Sequence, residues 1–348
     1  MIKLGIIHGG VSTEHEVSEM STKSILENIN KDKYEIHDIY INKYGKWFER
    51  KDGKEEEIYN LIWCLKELDV AFPVLHGLWG EDGTIQGMLE MLQVPYVGCG
   101  VLASSVGMDK VYAKVIFDKA GISQTPYVYV HKKKDGYTII NENFDEEEFK
   151  LETITSKLKF PMFVKPSNSG SSVGVKKVES INELKDAIEY AGQYDCKILV
   201  EQGVIGREFE CAILDGDEVI ASTIGEIASA EEYYSFDAKY NIPESKTIIP
   251  AKIDEKIIEE IRKTAIKAFK AIDGKGLSRV DFFVENGTNK IYINEINTMP
   301  GFTKISMYPK LFENVGIKYS KLLDKLIQNA YKKKWFYHFS YIAFFYLI

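Results

Sequence analysis

Apolar positions in the first hundred residues follow two rhythms. "KLGIIHG" (Lys3–Gly9) and "LDVAFPVLHG" (Leu68–Gly77) are continuous apolar runs that end in glycine, the pattern of strands buried on both faces. "YEIHDIYI" (Tyr34–Ile41) alternates like a strand. Between them, "EVSEMSTKSILENI" spaces Val17, Met20, Ser21, Ser24, Ile25 and Ile29 as a helix does, and "TIQGMLEMLQ" is a short helix. Strand–helix alternation predicts a parallel sheet with helices on both faces, and ligands then sit beyond the carboxyl ends of the strands. "HGG" (His8–Gly10) and "LHGLWGEDG" (Leu75–Gly83) fall at such ends, but neither fits GxGxxG after a strand, which argues against a Rossmann dinucleotide site.

The rhythm changes near residue 105. "MDKVYAKVIFDKAGI" predicts a helix that stops at Gly121, and "TPYVYV" a strand, followed by a polar insert over Lys132–Asn143 and another helix. "FPMFVKPSNSGSSVGVKKV" (Phe160–Val178) puts a loop of Ser, Asn and Gly between two apolar runs, with Lys165 at its entrance. Those residues suit a flexible connector and suit equally a backbone cradle for phosphate. In "SINELKDAIEYA", Ser180 and Glu183 form a capping box ahead of a helix, and "KILVEQ" is the next strand. Strands then dominate ("GVIGREFECAIL", "DEVIAST", "KTIIPAK", "GLSRVDFFVE", "KIYINEIN"), interrupted by a helix over Asp254–Ile272. The polar, tyrosine-bearing stretch Ser229–Ile248 has little periodicity and reads as a lid or a disordered loop.

Composition narrows the class. With 348 residues, 45% hydrophobic and 28% charged, the chain is globular and long enough for two or three subdomains. A net charge of −8 without a basic cluster argues against a nucleic-acid surface. Four scattered cysteines without a CxxC pair fit reduced thiols rather than zinc or disulfides. After three lysines the chain ends in 14 mostly aromatic and aliphatic residues, Trp335–Ile348, fewer than the roughly 20 that span a bilayer.

The densest chemistry lies in "SRVDFFVENGTNKIYINEINTMPG". Read as a hairpin, it puts Arg279 and Asp281 on one face of the first strand and Glu295 and Asn297 on one face of the second. Two carboxylates and an amide oxygen suit Mg²⁺, which takes few protein ligands and keeps water and phosphate. A solvated face or a salt bridge is the plainer alternative, and strands this rich in Ile, Val and Phe weigh against it. Lys110 and Lys165 stand at a helix start and a strand end. Glu201 and Glu208 flank a turn in "VEQGVIGRE", where they suit an adenine amino group and ribose hydroxyls. Alone, each of these would pass for a surface residue.

Together, "LHGLWGEDGTIQGMLE", "VPYVGCG", "MDK", "VKPSNSGSSVGV", "FDAKY", "RVDFF" and "NEINTMPG" resemble the D-alanine–D-alanine ligases of the ATP-grasp superfamily, in order from about residue 3 to 330. The resemblance implies an α/β ATP-grasp fold with an N-terminal parallel-sheet domain. It divides the chain into an N-terminal substrate domain over 1–104, a central ATP-grasp subdomain over 105–202, a C-terminal subdomain over 203–331, and the aromatic tail 332–348. It implies that the Ser/Gly loop is a phosphate lid. Lys110, Lys165, Ser171 and Ser172 would then meet phosphates, Glu201 and the Val204 backbone adenine, Glu208 the ribose, and Lys239 the γ-phosphate. Asp281, Glu295 and Asn297 would hold two Mg²⁺ or Mn²⁺ ions. Glu16 would bind the first D-alanine's ammonium and His76 would lie beside its carboxyl group. Arg279 and the Gly301 amide would form an oxyanion hole, Ser306 would bind the second substrate's carboxylate, and Met307 would line its pocket. A chain of Glu16, Ser171 and Tyr240 would latch the lid.

The implied activity is ATP-dependent joining of two D-alanines for peptidoglycan precursors, in a cytoplasmic homodimer without a membrane or nucleic-acid partner. D-Ala–D-Ser or D-Ala–D-lactate ligation, a carboxylase of the same superfamily, and a non-catalytic ATP-binding module are the other readings. Met299 departs from the family pattern, which often has serine there, and the tail matches nothing in it.

Overall fold

The computed structural model describes residues 1–228 and 246–332. Its strands fall into three sheets that follow one another along the chain. The first contains β1 (Ile2–Gly9), β2 (Tyr34–Ile41), β3 (Trp47–Lys51), β4 (Lys54–Glu57) and β5 (Val70–Pro73), in the order β4-β3-β2-β1-β5. β2, β1 and β5 run parallel, as their crossover helices require. β3 and β4 add an antiparallel edge that the apolar pattern did not predict. Their pattern is hidden by charge, since every residue of β4 is exposed. The signal was in the turn: Asp52 and Gly53 both have positive φ, the Asp-Gly arrangement that closes a tight hairpin.

The second sheet contains β6 (Tyr127–Lys133), β7 (Gly136–Ile140), β8 (Glu146–Glu148), β9 (Met162–Pro166), β10 (Lys176–Val178) and β11 (Lys197–Gln202), ordered β10-β9-β11-β6-β7-β8 and antiparallel throughout. The insert expected over Lys132–Asn143 is thus largely a hairpin, with Ile139 fully buried. The third contains β12 (Gly206–Leu214), β13 (Ile220–Ala228), β14 (Lys246–Ile248), β15 (Leu277–Glu285) and β16 (Ile291–Asn297), ordered β14-β13-β12-β15-β16 and again antiparallel.

Helices start and stop where local chemistry allows. The helix Lys110–Lys119 is capped by Asp109, whose carboxylate accepts from the Tyr112 amide, and the chain leaves it through Gly121 at φ 62°. Asp254 caps the helix Glu255–Ala271 by accepting from the Lys256 amide. The capping box at Ser180 is only half formed: Glu183 accepts from the Glu179 amide at 3.0 Å, and the Ser180 hydroxyl donates to Glu183 instead of capping the helix. In the helix His15–Asn28, Val17, Ser21, Ser24 and Ile25 are buried, but Met20 is 47% exposed, off the packed face.

Apolar cores lie between these layers. One joins Leu4, Ile6 and Phe72 of the first sheet to Phe302, Tyr308 and Leu311, so the first and third sheets share packing. A second packs the helix Glu255–Ala271 on the third sheet, and a third core belongs to the second sheet.

Candidate active site

A cleft opens where the three sheets meet. From the third sheet come Arg279, Asp281, Glu295 and Asn297. Arg279 lies opposite Asn297 and Asp281 opposite Glu295, with a register shift just after Asp281. The alternation expected of a hairpin thus brings all four together. Arg279 donates through Nε and Nη2 to the two Asp281 oxygens at 2.7 and 2.6 Å, and Asn297 donates to Asp281 at 3.0 Å. A further acid, Glu210 on β12, is 3% exposed and 3.2 Å from Arg279 Nε. Burial disfavours the guanidinium charge, but Asp281, Glu210 and Glu295 outweigh it, so its pKa is raised well above the usual value. Two carboxylates and an amide oxygen are the hard donors that Mg²⁺ takes, and they fit such an ion once Arg279 yields an Asp281 oxygen.

From the second sheet comes the loop between β9 and β10. Lys110 donates to the Ser169 carbonyl at 2.6 Å and stands 3.9 Å from Glu295. Asp109 accepts from the Ser167 hydroxyl at 2.5 Å and is paired with Lys197, which fixes the loop base to the helix start. Ser171 and Ser172 have positive φ, a conformation uncommon for residues with a Cβ, and Gly174 follows at φ 76°. Gly170 and Gly77 close on the same group: a Cβ on either would stand 2.7 Å from the Glu14 carboxylate.

Glu14, not Glu16, therefore lies in the cleft beside this loop. The Ser171 hydroxyl donates to Glu14 Oε1, and Glu14 lines the cleft. Glu16 is exposed, and its carboxylate, kept below the usual range first by a hydrogen bond from Lys43, pairs with that lysine in solvent. The reason is helical period. Glu14 and Glu16 straddle the start of the helix His15–Asn28, and residues two apart on a helix point roughly 200° away from each other.

His76 is 4% exposed. Its Nδ1 lies 3.1 Å from the Met299 carbonyl and its Nε2 3.1 Å from the Ser21 hydroxyl. A carbonyl only accepts, so the proton is on Nδ1. Burial lowers the pKa, which keeps the ring neutral. Met299, the departure from the family pattern, is buried and offers its backbone here. Glu81, in "GEDG", was missed by sequence reasoning. It accepts from the Gly77 amide at 3.0 Å and the Met299 amide at 3.4 Å. Burial first, then the charges of Glu14 and Glu295, push its carboxyl up to about 8.

Gly301, Ser306 and Met307 line the same cleft. The Ser306 hydroxyl accepts from the Thr303 amide at 3.0 Å and would be 2.7 Å from a Cβ at Gly301, so the backbone passes tightly there.

Lys165, Glu201, Val204 and Glu208 lie further along, between the second and third sheets. Lys165 pairs with Glu201 at 2.7 Å, and the charges of Glu295 and Glu208 also favour its ammonium. Val204 and Glu208 are half-buried beside them. Lys239 and Tyr240 lie outside the described residues, as do most of the lid stretch and all of the tail beyond Lys332.

Comparison with known proteins settles the family. A model for the D-Ala–D-Ala ligase N-terminus matches residues 3–99, and one for the C-terminus of the same ligases matches residues 116–328. The chain belongs to the D-alanine–D-alanine ligase family. It is 49% identical to the D-alanine–D-alanine ligase of Acetivibrio thermocellus, with 94% of this chain and 95% of that one aligned. It is 44% identical to that of Ruminiclostridium cellulolyticum, over 95% and 96%. Among solved structures, the D-alanine–D-alanine ligase of Coxiella burnetii superposes with a TM-score of 0.83 at 31% identity, covering both chains completely. A VanG D-Ala:D-Ser ligase from Enterococcus faecalis gives 0.83 at 34%, over 94% of this chain and 99% of that one. The fold is ATP-grasp and the enzyme class is that of an ATP-dependent ligase.

Proposed function

We propose that the chain joins two D-alanines through an acyl phosphate made from ATP, supplying a peptidoglycan precursor. The observation that carries this reading is convergence: Glu14, Lys110, Ser171, Arg279, Glu295 and Ser306 meet in one cleft. A carboxylate is a poor electrophile, so the first D-alanine must be activated before an amine can attack it. Glu14, held by Ser171, would take its ammonium, and neutral His76 would lie beside its carboxyl group. Lys110 and Lys165 would neutralise the transferring phosphoryl charge. The nucleotide would lie toward Glu201, Val204 and Glu208, with Ser172 on the covering loop. A D-alanine–D-alanine ligase from Bacillus anthracis, 30% identical with a TM-score of 0.75, has been solved in complex with ATP.

Asp281, Glu295 and Asn297 would hold the Mg²⁺ or Mn²⁺ ions, which would supply neutralising charge to the nucleotide's phosphates. Arg279 and the Gly301 amide would stabilise the tetrahedral oxyanion formed when the second amine attacks. Ser306 would position that substrate's carboxylate.

D-alanine is the second substrate on this reading. Met307, Ile305 and Met299 give that end of the cleft apolar walls, and the curated relatives at 43–49% identity are D-alanine–D-alanine ligases. The test is product analysis with ATP and a panel of D-alanine, D-serine and D-lactate. A higher kcat/KM for D-serine or D-lactate than for D-alanine refutes it, and ATP consumption without any dipeptide refutes ligation altogether.

A cytoplasmic location is part of the same reading. No helix among the described residues is long and apolar enough to cross a membrane, and no disulfide joins the four cysteines. A homodimer is also part of it. The side chains of Tyr59, Ile62 and Trp63, each more than 60% exposed, support a partner on that flank, and light scattering tests it.

A further inference from the structure

A lysine that no motif singled out, Lys114, is 3% exposed beside Glu201, where the nucleotide would lie on the reading above. It projects from the helix Lys110–Lys119, and its Nζ lies 2.6 Å from Glu201 Oε1, 3.5 Å from the Thr125 hydroxyl and 5.1 Å from the centre of the Tyr127 ring. Glu201 is itself 4% exposed. Thr125 also donates to Oε1, while among the described residues Lys165 alone holds Oε2, at 2.7 Å. Two cations thus serve one buried carboxylate. Burial alone would raise its pKa, but Lys114 and Lys165 bring it well below the usual range.

We infer that Lys114 is a positioning residue: it keeps Glu201 ionised after Lys165 turns to a nucleotide phosphate, and so makes the site select adenine over 6-oxopurines. This rests on the reading of the cleft as a purine-nucleotide site. Lys165 can hold either Glu201 Oε2 or a phosphate oxygen. When it leaves, Oε2 becomes an acceptor aimed into the site, and the 6-amino group of adenine donates to it. A 6-oxopurine presents a carbonyl oxygen there, and two acceptors repel. Without Lys114 the same departure strands a buried carboxylate, which takes up a proton instead. A protonated Glu201 donates to the carbonyl, and discrimination falls.

The groups that set this titration are few. Lys114, Lys165 and Thr125 face Glu201 directly; Asp118, bonded to the Tyr127 hydroxyl at 3.1 Å, faces Lys114; Glu208 and Glu295 face Lys165.

The test measures ATP and ITP binding to the full chain by calorimetry, without D-alanine, so that a failure of ligation leaves it standing. ITP carries a 6-oxo group in place of the 6-amino group and a hydrogen on N1; the N1 change is common to every variant, so the change in the ATP/ITP ratio between proteins reads the 6-position. The wild type is expected to prefer ATP by about 100-fold or more. In Lys114→Met the preference falls by about tenfold or more, and ITP binding strengthens from pH 8 to pH 6 by more than it does in the wild type, a trend that lost packing alone does not produce. Lys114→Arg, which restores the charge, recovers the preference. Lys114→Gln repeats the loss if the Met variant does not fold. Equal weakening of both nucleotides, no change in their ratio, or a wild type indifferent to the base overturns the inference.

Discussion

The strand-borne and loop-borne ends of the cleft are built in opposite ways. Arg279, Asp281, Glu295 and Asn297 stand on two paired strands, β15 and the edge strand β16, and alternate positions of β15 such as Val280 and Phe282 are fully buried. Their geometry is fixed by register, because a slip of one residue would turn the whole face over. Glu14, Gly77, Gly170 and Ser171 come instead from loops of two different layers, and meet through close approach and positive φ. A pairing of strands tolerates little and is legible in sequence; a meeting of loops depends on both layers and is not.

The largest expected effect breaks the strand-borne end. Glu295→Gln keeps the shape and the register but removes one of two carboxylates from the donor set. Turnover should fall by about 10³-fold or more, roughly 4 kcal/mol in barrier terms. Circular dichroism and melting should be nearly unchanged. A variant within about tenfold of wild type would remove Glu295 from the metal site.

The next prediction sets the two glutamates of "STEHEVS" against each other. Glu14→Gln should lower kcat/KM for D-alanine by about 100-fold, because a half-buried charge-assisted contact is worth more than a neutral one. Glu16→Gln should stay within about threefold, since its pair with Lys43 lies in solvent where such pairs contribute little. The reverse order would restore the assignment made from sequence. Glu16 lies outside the cleft for a physical reason: a motif fixes which residues are present, but the face each takes depends on where the helix begins, and helix starts are uncertain by a residue or two. The hairpin acids carried no such ambiguity, since a period of two needs only the strand. Lys114 and Glu81 escaped notice for another reason, because a single charged residue in an amphipathic helix or a turn looks like any solvated one until burial is known. The β3–β4 edge was hidden in the same way by its own charges.

Ser171→Ala sharpens the loop-borne end. It deletes the hydroxyl that donates to Glu14 and leaves the backbone in place. A hydrogen bond to a charged group contributes about 1.5–3 kcal/mol, so kcat/KM for D-alanine should fall by roughly 10- to 100-fold. More ATP should be consumed per dipeptide, because a loop no longer tied to the first substrate's site admits water to the acyl phosphate. An unchanged ratio of ATP to dipeptide, measured by coupled phosphate release against product, would mean that the contact does not couple loop closure to substrate.

The smallest effect is on stability and concerns Glu81, which bridges the two ends through the fields of Glu14 and Glu295. Its carboxyl is raised to about 8, whereas an unfolded chain titrates it near the ordinary value of 4.5. Between those two values the native protein holds a proton that the unfolded chain has already released. The unfolded state therefore binds fewer protons there, and stability declines as pH rises through that window. Above about pH 8 both states are ionised and the slope from this group ends. The free enzyme should accordingly melt about 3 °C or more lower at pH 9 than at pH 6. Glu81→Gln keeps acceptor and shape without the ionisation, so its melting temperature should vary less over the same range. The Gly77 and Met299 amides still need an acceptor, and the Gln carbonyl can serve only one position well, so the variant should not exceed the wild type at pH 6. An identical pH slope in both proteins would show that Glu81 is ionised in the native cleft, and would leave the repulsion between Glu14 and Glu295 to be relieved elsewhere.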